Sequence, residues 1–262
     1  MNNSRFNIFE AVRNAYIFTG REWLYLLKAG FIPMMAQIVV SSIPLFGIKA
    51  TSSIEDYLWN LPVTVLFAWF VFLEMRLLLL GERMNRLPPD DAWRADRRLA
   101  MQASVIVYLL FNMGITVATV SLMAATKSDQ WGANWPLTLG GIFVMGGIVW
   151  GVRFGVAPIL AAVHHPIRPV LRRTEGMMFS LRLIGMGIVC LFPLIFLFQV
   201  FLAAFTGKSA DLVAAAPLTT MEQSVFIVLS APVSLIAVTL LNASVAYALK
   251  QILSSRRDRG GT

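Results

Sequence analysis

The sequence predicts an all-α fold: a polytopic membrane bundle of six transmembrane helices, with basic amphipathic interfacial helices on the cytoplasmic side and both termini cytoplasmic. Three observations carry this. Charged residues make up only 14% of the chain and hydrophobic ones 57%, whereas a soluble domain holds about 25% charged. Six apolar stretches, at 29–48, 61–80, 103–125, 137–163, 183–205 and 225–249, each meet the requirement of about 20 residues for crossing the hydrocarbon core. The cations between them are sorted. Seventeen of the 22 Lys and Arg lie in the N-terminal segment, the 81–102 and 164–182 connections and the tail from Lys250. The other three connections hold only Lys49, Lys127 and Lys208. Positive charge stays in the cytoplasm, so an even number of spans with N-in and C-in follows. No remaining segment is long enough for a soluble domain, and residues 1–262 read as one membrane domain.

The N-terminal segment, 5–22, has Ile8, Phe9, Val12 and Tyr16 on one helical face, with Asn7, Arg13 and Asn14 elsewhere. That pattern predicts a helix lying in the headgroup region before the first span. Its scattered charges, Arg5, Glu10, Arg13, Arg21, Glu22 and Lys28, leave no apolar run of the kind a signal peptide needs. The segment Pro88-Pro89-Asp90-Asp91 opens a second amphipathic helix, because proline suits a helix start and aspartate caps its free N–H groups. Trp93, Arg97 and Ala100 follow at helical spacing. A third such segment spans 167–182, with Arg168, Arg172 and Arg173 beside Val170 and Leu171. A basic segment thus precedes spans one, three and five. Either a unit of interfacial helix plus hairpin used three times, or charge sorting alone, produces this. Trp59, Trp131 and Trp135 mark the outer interface, and Trp23 and Trp93 the inner one, as aromatic belts do. The +8 net charge is spread along span flanks, which points to anionic lipid headgroups and not to nucleic acid. Arg13, Arg21, Arg76, Arg97, Arg172 and Arg173 are the expected contacts to headgroups or to a membrane-protein partner.

Within the spans, polar side chains are few. Glu74, in Phe72-Leu73-Glu74-Met75-Arg76, and Arg153 stand in apolar surroundings, where a charge costs about 2.5–3.5 kcal/mol on insertion scales. Counting inward at about 1.5 Å per residue puts Glu74 roughly 10 Å deep and Arg153 roughly 15 Å deep, so an ion pair between them across spans two and four is expected. Gln37, Asn112 and Asn242 fall at a similar depth. Ser104, Tyr108 and Thr116 share the Asn112 face. This polar layer has two readings, interhelical hydrogen bonds or a cavity open to the cytoplasm. Gly147, Gly151 and Gly155, at four-residue spacing, predict close helix packing. Pro33, Pro158, Pro193 and Pro232 lie within spans and can kink them.

No metal site is expected. Cys190 is the only cysteine and reads as a small buried residue. His164 and His165 are adjacent, so they project about 100° apart on a helix and do not readily share an ion. No cofactor motif is found, and Glu74 lacks a nucleophile or acidic partner for catalysis, so a non-enzyme is expected.

Two stretches carry a resemblance. Arg76-Leu77-Leu78-Leu79-Leu80-Gly81-Glu82 closes span two, and Arg153-Phe154-Gly155-Val156-Ala157-Pro158 continues to Leu171-Arg172-Arg173-Thr174-Glu175-Gly176. With the N-terminal segment, these resemble a poorly characterised group of bacterial six-span inner-membrane proteins. It includes the YciC-like proteins and the membrane domain joined to some glycerophosphodiester phosphodiesterases. The resemblance implies the bacterial cytoplasmic membrane and an accessory role in membrane or envelope maintenance. An acidic residue common after the span-four proline in that group is replaced here by His164 and His165, and the phosphodiesterase activity is not carried over. The alternative function is a small transporter or permease built on the Glu74/Arg153 layer.

Overall fold

The computed structural model describes residues 6–48, 53–83, 91–126, 152–163, 165–173, 177–206 and 219–254. All the regular structure among them is helical: α1 Ile8–Ser42, α2 Ser53–Leu80, α3 Asp91–Thr126, α4 Ala157–Ala162, α5 Ile167–Arg173, α6 Met177–Thr206 and α7 Thr220–Ser254, with 3₁₀ turns at Ile43–Phe46 and Val152–Val156. Four helical segments are long and apolar enough to cross a membrane: Ile8–Phe46, Tyr57–Leu80, Met178–Phe205 and Thr220–Leu253. They contain the expected spans two, five and six, and all of span one but its last two residues. The expected third span lies inside α3, whose side chains beyond position 114 fall outside the described residues. Of the expected fourth, 137–163, only the part from Val152 is described.

Local chemistry accounts for the helix ends. The Asn7 side chain accepts from the Glu10 N–H at 3.3 Å, which satisfies one of the free donors of the first turn of α1. Gly81, at φ 71°, ends α2 in the left-handed conformation, with its N–H on the Leu77 carbonyl at 3.0 Å and the Glu82 N–H on the Arg76 carbonyl at 3.2 Å. This is a glycine helix stop, and it turns Glu82 back over the last turn of α2. α3 starts at Asp91, as the Pro-Pro-Asp-Asp segment predicts.

The boundary expected between an interfacial helix over 5–22 and a span over 29–48 does not exist in the structure. α1 is one helix of 35 residues, about 52 Å long at 1.5 Å per residue, against roughly 30 Å of hydrocarbon core. The expected apolar face packs only in part. Phe9 is 74% exposed, whereas Val12 is buried together with Ala11, Ala15 and Phe18, which were not assigned to that face. They face protein: α1 runs antiparallel to α7, with the Asn7 N–H donating to Gln251 Oε1 at 2.8 Å, and it also meets α6, where Tyr16 Oη donates to the Cys190 carbonyl at 2.8 Å and Phe6 lies edge-on to Phe179. Small residues on α1 and α7, Ala11, Ala15, Ala243 and Ala246, are fully buried and let the backbones approach closely. α3 likewise joins the expected second amphipathic segment to its span. The third pair is described as α5 and α6, and residues 174–176 between them lie outside the described residues.

α2 forms the centre of one end of the bundle. Phe70, Val71, Phe72, Leu73, Glu74 and Met75 are all at most 2% exposed, as befits a helix that is apolar all round. It packs on α1, α3, α4 and α7. α6 is peripheral: only 11% of its most apolar window is buried, against 61% for α2. Its Ile188, Phe192, Phe196 and Phe201 point outward, the surface an integral membrane protein offers to lipid.

Candidate functional site at the basic end

The bundle end that holds the start of α1, the end of α2 and the starts of α3 and α6 gathers most of the described arginines, and it divides them into two sets. One set is spent on structure. Arg76 is 4% exposed. Its Nε donates to Glu82 Oε2 at 2.6 Å and its Nη2 to Glu82 Oε1 at 2.7 Å, a fork-to-fork pairing of the strongest kind. Its Nη1 donates to the Ala162 carbonyl at 3.0 Å, satisfying an acceptor that the short α4 leaves open at its end. The expected headgroup contact of Arg76 is therefore corrected: the guanidinium turns inward because the Gly81 turn brings a carboxylate to it. Glu22, 8% exposed, accepts from Arg83 Nη2 at 2.8 Å and from Arg21 Nε at 3.2 Å, which ties α1 to the turn after α2. Arg97 lies over the rings of Phe72 at 5.7 Å and Trp93 at 5.5 Å, a cation–π arrangement. Burial, and next the neighbouring Arg76 guanidinium, hold its pKa below the ordinary arginine value. Glu22, Glu82 and Arg83 were not among the candidate site residues read from sequence. Their signal, Gly81-Glu82-Arg83 directly after a helix that carries Arg76 near its end, is legible only once the turn is known.

The other set is exposed: Arg13, Lys28 and Arg98, with Arg21, which stays 71% exposed while its Nε reaches Glu22, standing between the two. Arg172 and Arg173 belong to α5, but their side chains lie outside the described residues.

The intramembrane polar residues do not converge. Glu74 is fully buried, and neither carboxyl oxygen has a hydrogen-bond partner among the described residues. Arg153 is 8% exposed, with its guanidinium 5.1 Å from the Phe154 ring centroid. The expected Glu74–Arg153 pair is not formed. Depth counting assumed a regular α-helix through 137–163, whereas Arg153 sits in the 3₁₀ turn Val152–Val156. There the rise is about 2.0 Å and the rotation about 120° per residue, against 1.5 Å and 100°, so four residues turn the side chain by roughly a further 80°. Gln37 Nε2 donates to Ser234 Oγ at 3.1 Å, linking α1 to α7. Asn112 Nδ2 donates to the Tyr108 carbonyl at 2.9 Å and Asn242 Nδ2 to the Val238 carbonyl at 2.8 Å, each within its own helix. Ser104 Oγ donates to the Pro158 carbonyl at 3.0 Å, joining α3 to α4. The Thr116 side chain lies outside the described residues.

Gly155 meets the packing expectation in part: a Cβ there would lie 3.1 Å from Phe111 Cζ of α3. Gly147 and Gly151 lie outside the described residues. The tightest glycine was not singled out from sequence: a Cβ on Gly30 would overlap the Leu235 side chain of α7. Cys190 is buried, its Sγ 3.2 Å from Ser244 Oγ. Among the described residues no cluster of His, Cys, Asp and Glu has the makings of a metal site.

Comparison of the chain with protein-family models, with curated proteins and with solved structures finds no match.

Proposed function

We propose that this chain is a non-catalytic integral protein of the bacterial cytoplasmic membrane, with six spans and both termini in the cytoplasm. Its role is accessory, in membrane or envelope maintenance, and its basic cytoplasmic face binds anionic lipid headgroups or a membrane-protein partner. The observation that carries this reading is the division of the arginines at the basic end. Arg76 and Arg83 hold carboxylates and lock the helices together, while Arg13, Arg21, Lys28 and Arg98 stay exposed to an anionic surface. Each Lys or Arg near such a surface contributes about 1 kcal/mol. The Gln37 bond between helices, and the bonds of Asn112 and Asn242 to carbonyls of their own helices, favour this reading over the transporter alternative. The resemblance to the YciC-like group is consistent with it.

Thiol labelling in intact membranes tests the reading. In a Cys190→Ala background, Asn112→Cys and Asn242→Cys are expected to resist a water-soluble maleimide while a cysteine at Arg13 reacts once the cytoplasmic side is opened. Ready labelling at both span positions would reveal a water-filled path and overturn it.

A further inference from the structure

α2 packs against α1 on one side and α3 on the other, and a groove of about 540 Å³ is left over it between those two helices. Its floor includes Val65 and Trp69 of α2, and its walls include Ile32 of α1 and Gln102, Val105 and Ile106 of α3. Ile32 and Ile106 are more than half exposed, so the groove opens sideways, away from the bundle. No described residue covers this side of the groove, so in a bilayer it faces lipid, and an apolar concavity there takes up hydrocarbon in preference to water.

The basic end of the groove carries its own charge. Residues four apart share a helix face. Lys28 precedes Ile32 by four and Arg98 precedes Gln102 by four, so a cation stands on each wall about 6 Å toward the basic end. Both are exposed. The nearby carboxylates among the described side chains do not cancel them. Glu82 is taken by Arg76, and Glu22 by Arg83 and Arg21. Asp96 falls about 120° around α3 from Gln102. The result is an apolar slot leading to a positively charged rim that also offers a side-chain amide, complementary to a molecule with a hydrocarbon tail and an anionic head.

We propose that the groove holds an acyl chain of one anionic phospholipid, with the phosphate between Lys28 and Arg98 and the Gln102 amide donating to it. This rests on the reading of the basic end as a lipid-binding cytoplasmic face and narrows it to one site and one ligand class.

The test uses the full chain purified in neutral detergent, with native mass spectrometry after addition of phosphatidylglycerol or phosphatidylcholine of the same acyl chains. The wild type is expected to retain one phosphatidylglycerol in preference to phosphatidylcholine. Lys28→Gln and Arg98→Gln are each expected to lower that retention about fivefold, the worth of one basic side chain beside an anionic headgroup. Ile106→Trp, which fills the slot from an exposed position, is expected to abolish it, and inorganic phosphate is expected not to compete. Retention unaffected by Ile106→Trp would overturn the groove as the binding site, whatever the charge variants do. Retention unaffected by the three groove variants but lost in Arg13→Gln/Arg21→Gln would overturn the groove and leave the anionic-lipid face standing. Equal retention of the two lipids by the wild type would overturn both.

Discussion

Glu82→Ala is the perturbation that most directly examines how the basic end is held. It removes both carboxylate oxygens from Arg76, whose side chain is 5% exposed against 21% for Glu82. The guanidinium keeps the Ala162 carbonyl at 3.0 Å and the Phe72 ring, 5.6 Å to its centroid. Breaking a fully buried pair costs about 3–5 kcal/mol, because a desolvated charge is left behind, while exposed pairs are worth at most about 1 kcal/mol. Glu82 has some water access and the remaining carbonyl bond is retained, so the expected loss is about 2–3 kcal/mol. The assay is SDS-driven unfolding of the full chain in mixed micelles, run as a double-mutant cycle with Arg76→Met. The stranded charge is absent from Arg76→Met/Glu82→Ala, so the double variant is expected to be more stable than Glu82→Ala alone, with a coupling of about 1–3 kcal/mol. A Glu82→Ala protein within about 0.5 kcal/mol of wild type, with no coupling to Arg76, would refute the reasoning. It would mean that Arg76 reaches headgroup or water unaided, as its position in the sequence suggests.

Two further outcomes are expected from the same unfolding measurement. Gly30→Val places a side chain where Leu235 already sits and is expected to cost about 1–3 kcal/mol by overpacking; Leu235→Ala in the same chain recovers part of it, and additive losses would count against the contact. Glu74→Gln keeps the shape of a buried side chain that has no hydrogen-bond partner among the described residues. Its expected change is within about 1 kcal/mol, whereas a loss of 3–5 kcal/mol would mean that the wild-type carboxylate is paired after all.

Several elements were legible along the chain. α2 stops at Leu80 because Gly81 follows, and α3 starts at Asp91 because Pro88, Pro89 and Asp90 precede it. The burial of Cys190 also follows from its apolar surroundings. The continuity of α1 was harder to read. Gly20, Arg21, Glu22 and Lys28 look like a polar break between an interfacial helix and a span, yet none of them forbids helix. Glu22 is polar in sequence but lies on the Ala15–Phe18 face, where Arg83 meets it. The Arg76–Glu82 pair escapes helical periodicity because the two are six apart and joined through a left-handed turn. The Glu74–Arg153 expectation failed because depth is one coordinate, and pairing also needs the azimuth that the 3₁₀ turn changes.

Composition and periodicity by themselves determined that the chain is all-helical and that apolar segments dominate it, since the need to remove apolar surface from water acts on each segment separately. Which arginines hold the bundle together and which remain to meet an anionic surface was decided only by tertiary structure. The cost of burying a charge depends on the carboxylates, carbonyls and rings that neighbouring helices bring to it, and those neighbours come from residues as far apart as Glu22 and Arg83 or Arg76 and Ala162.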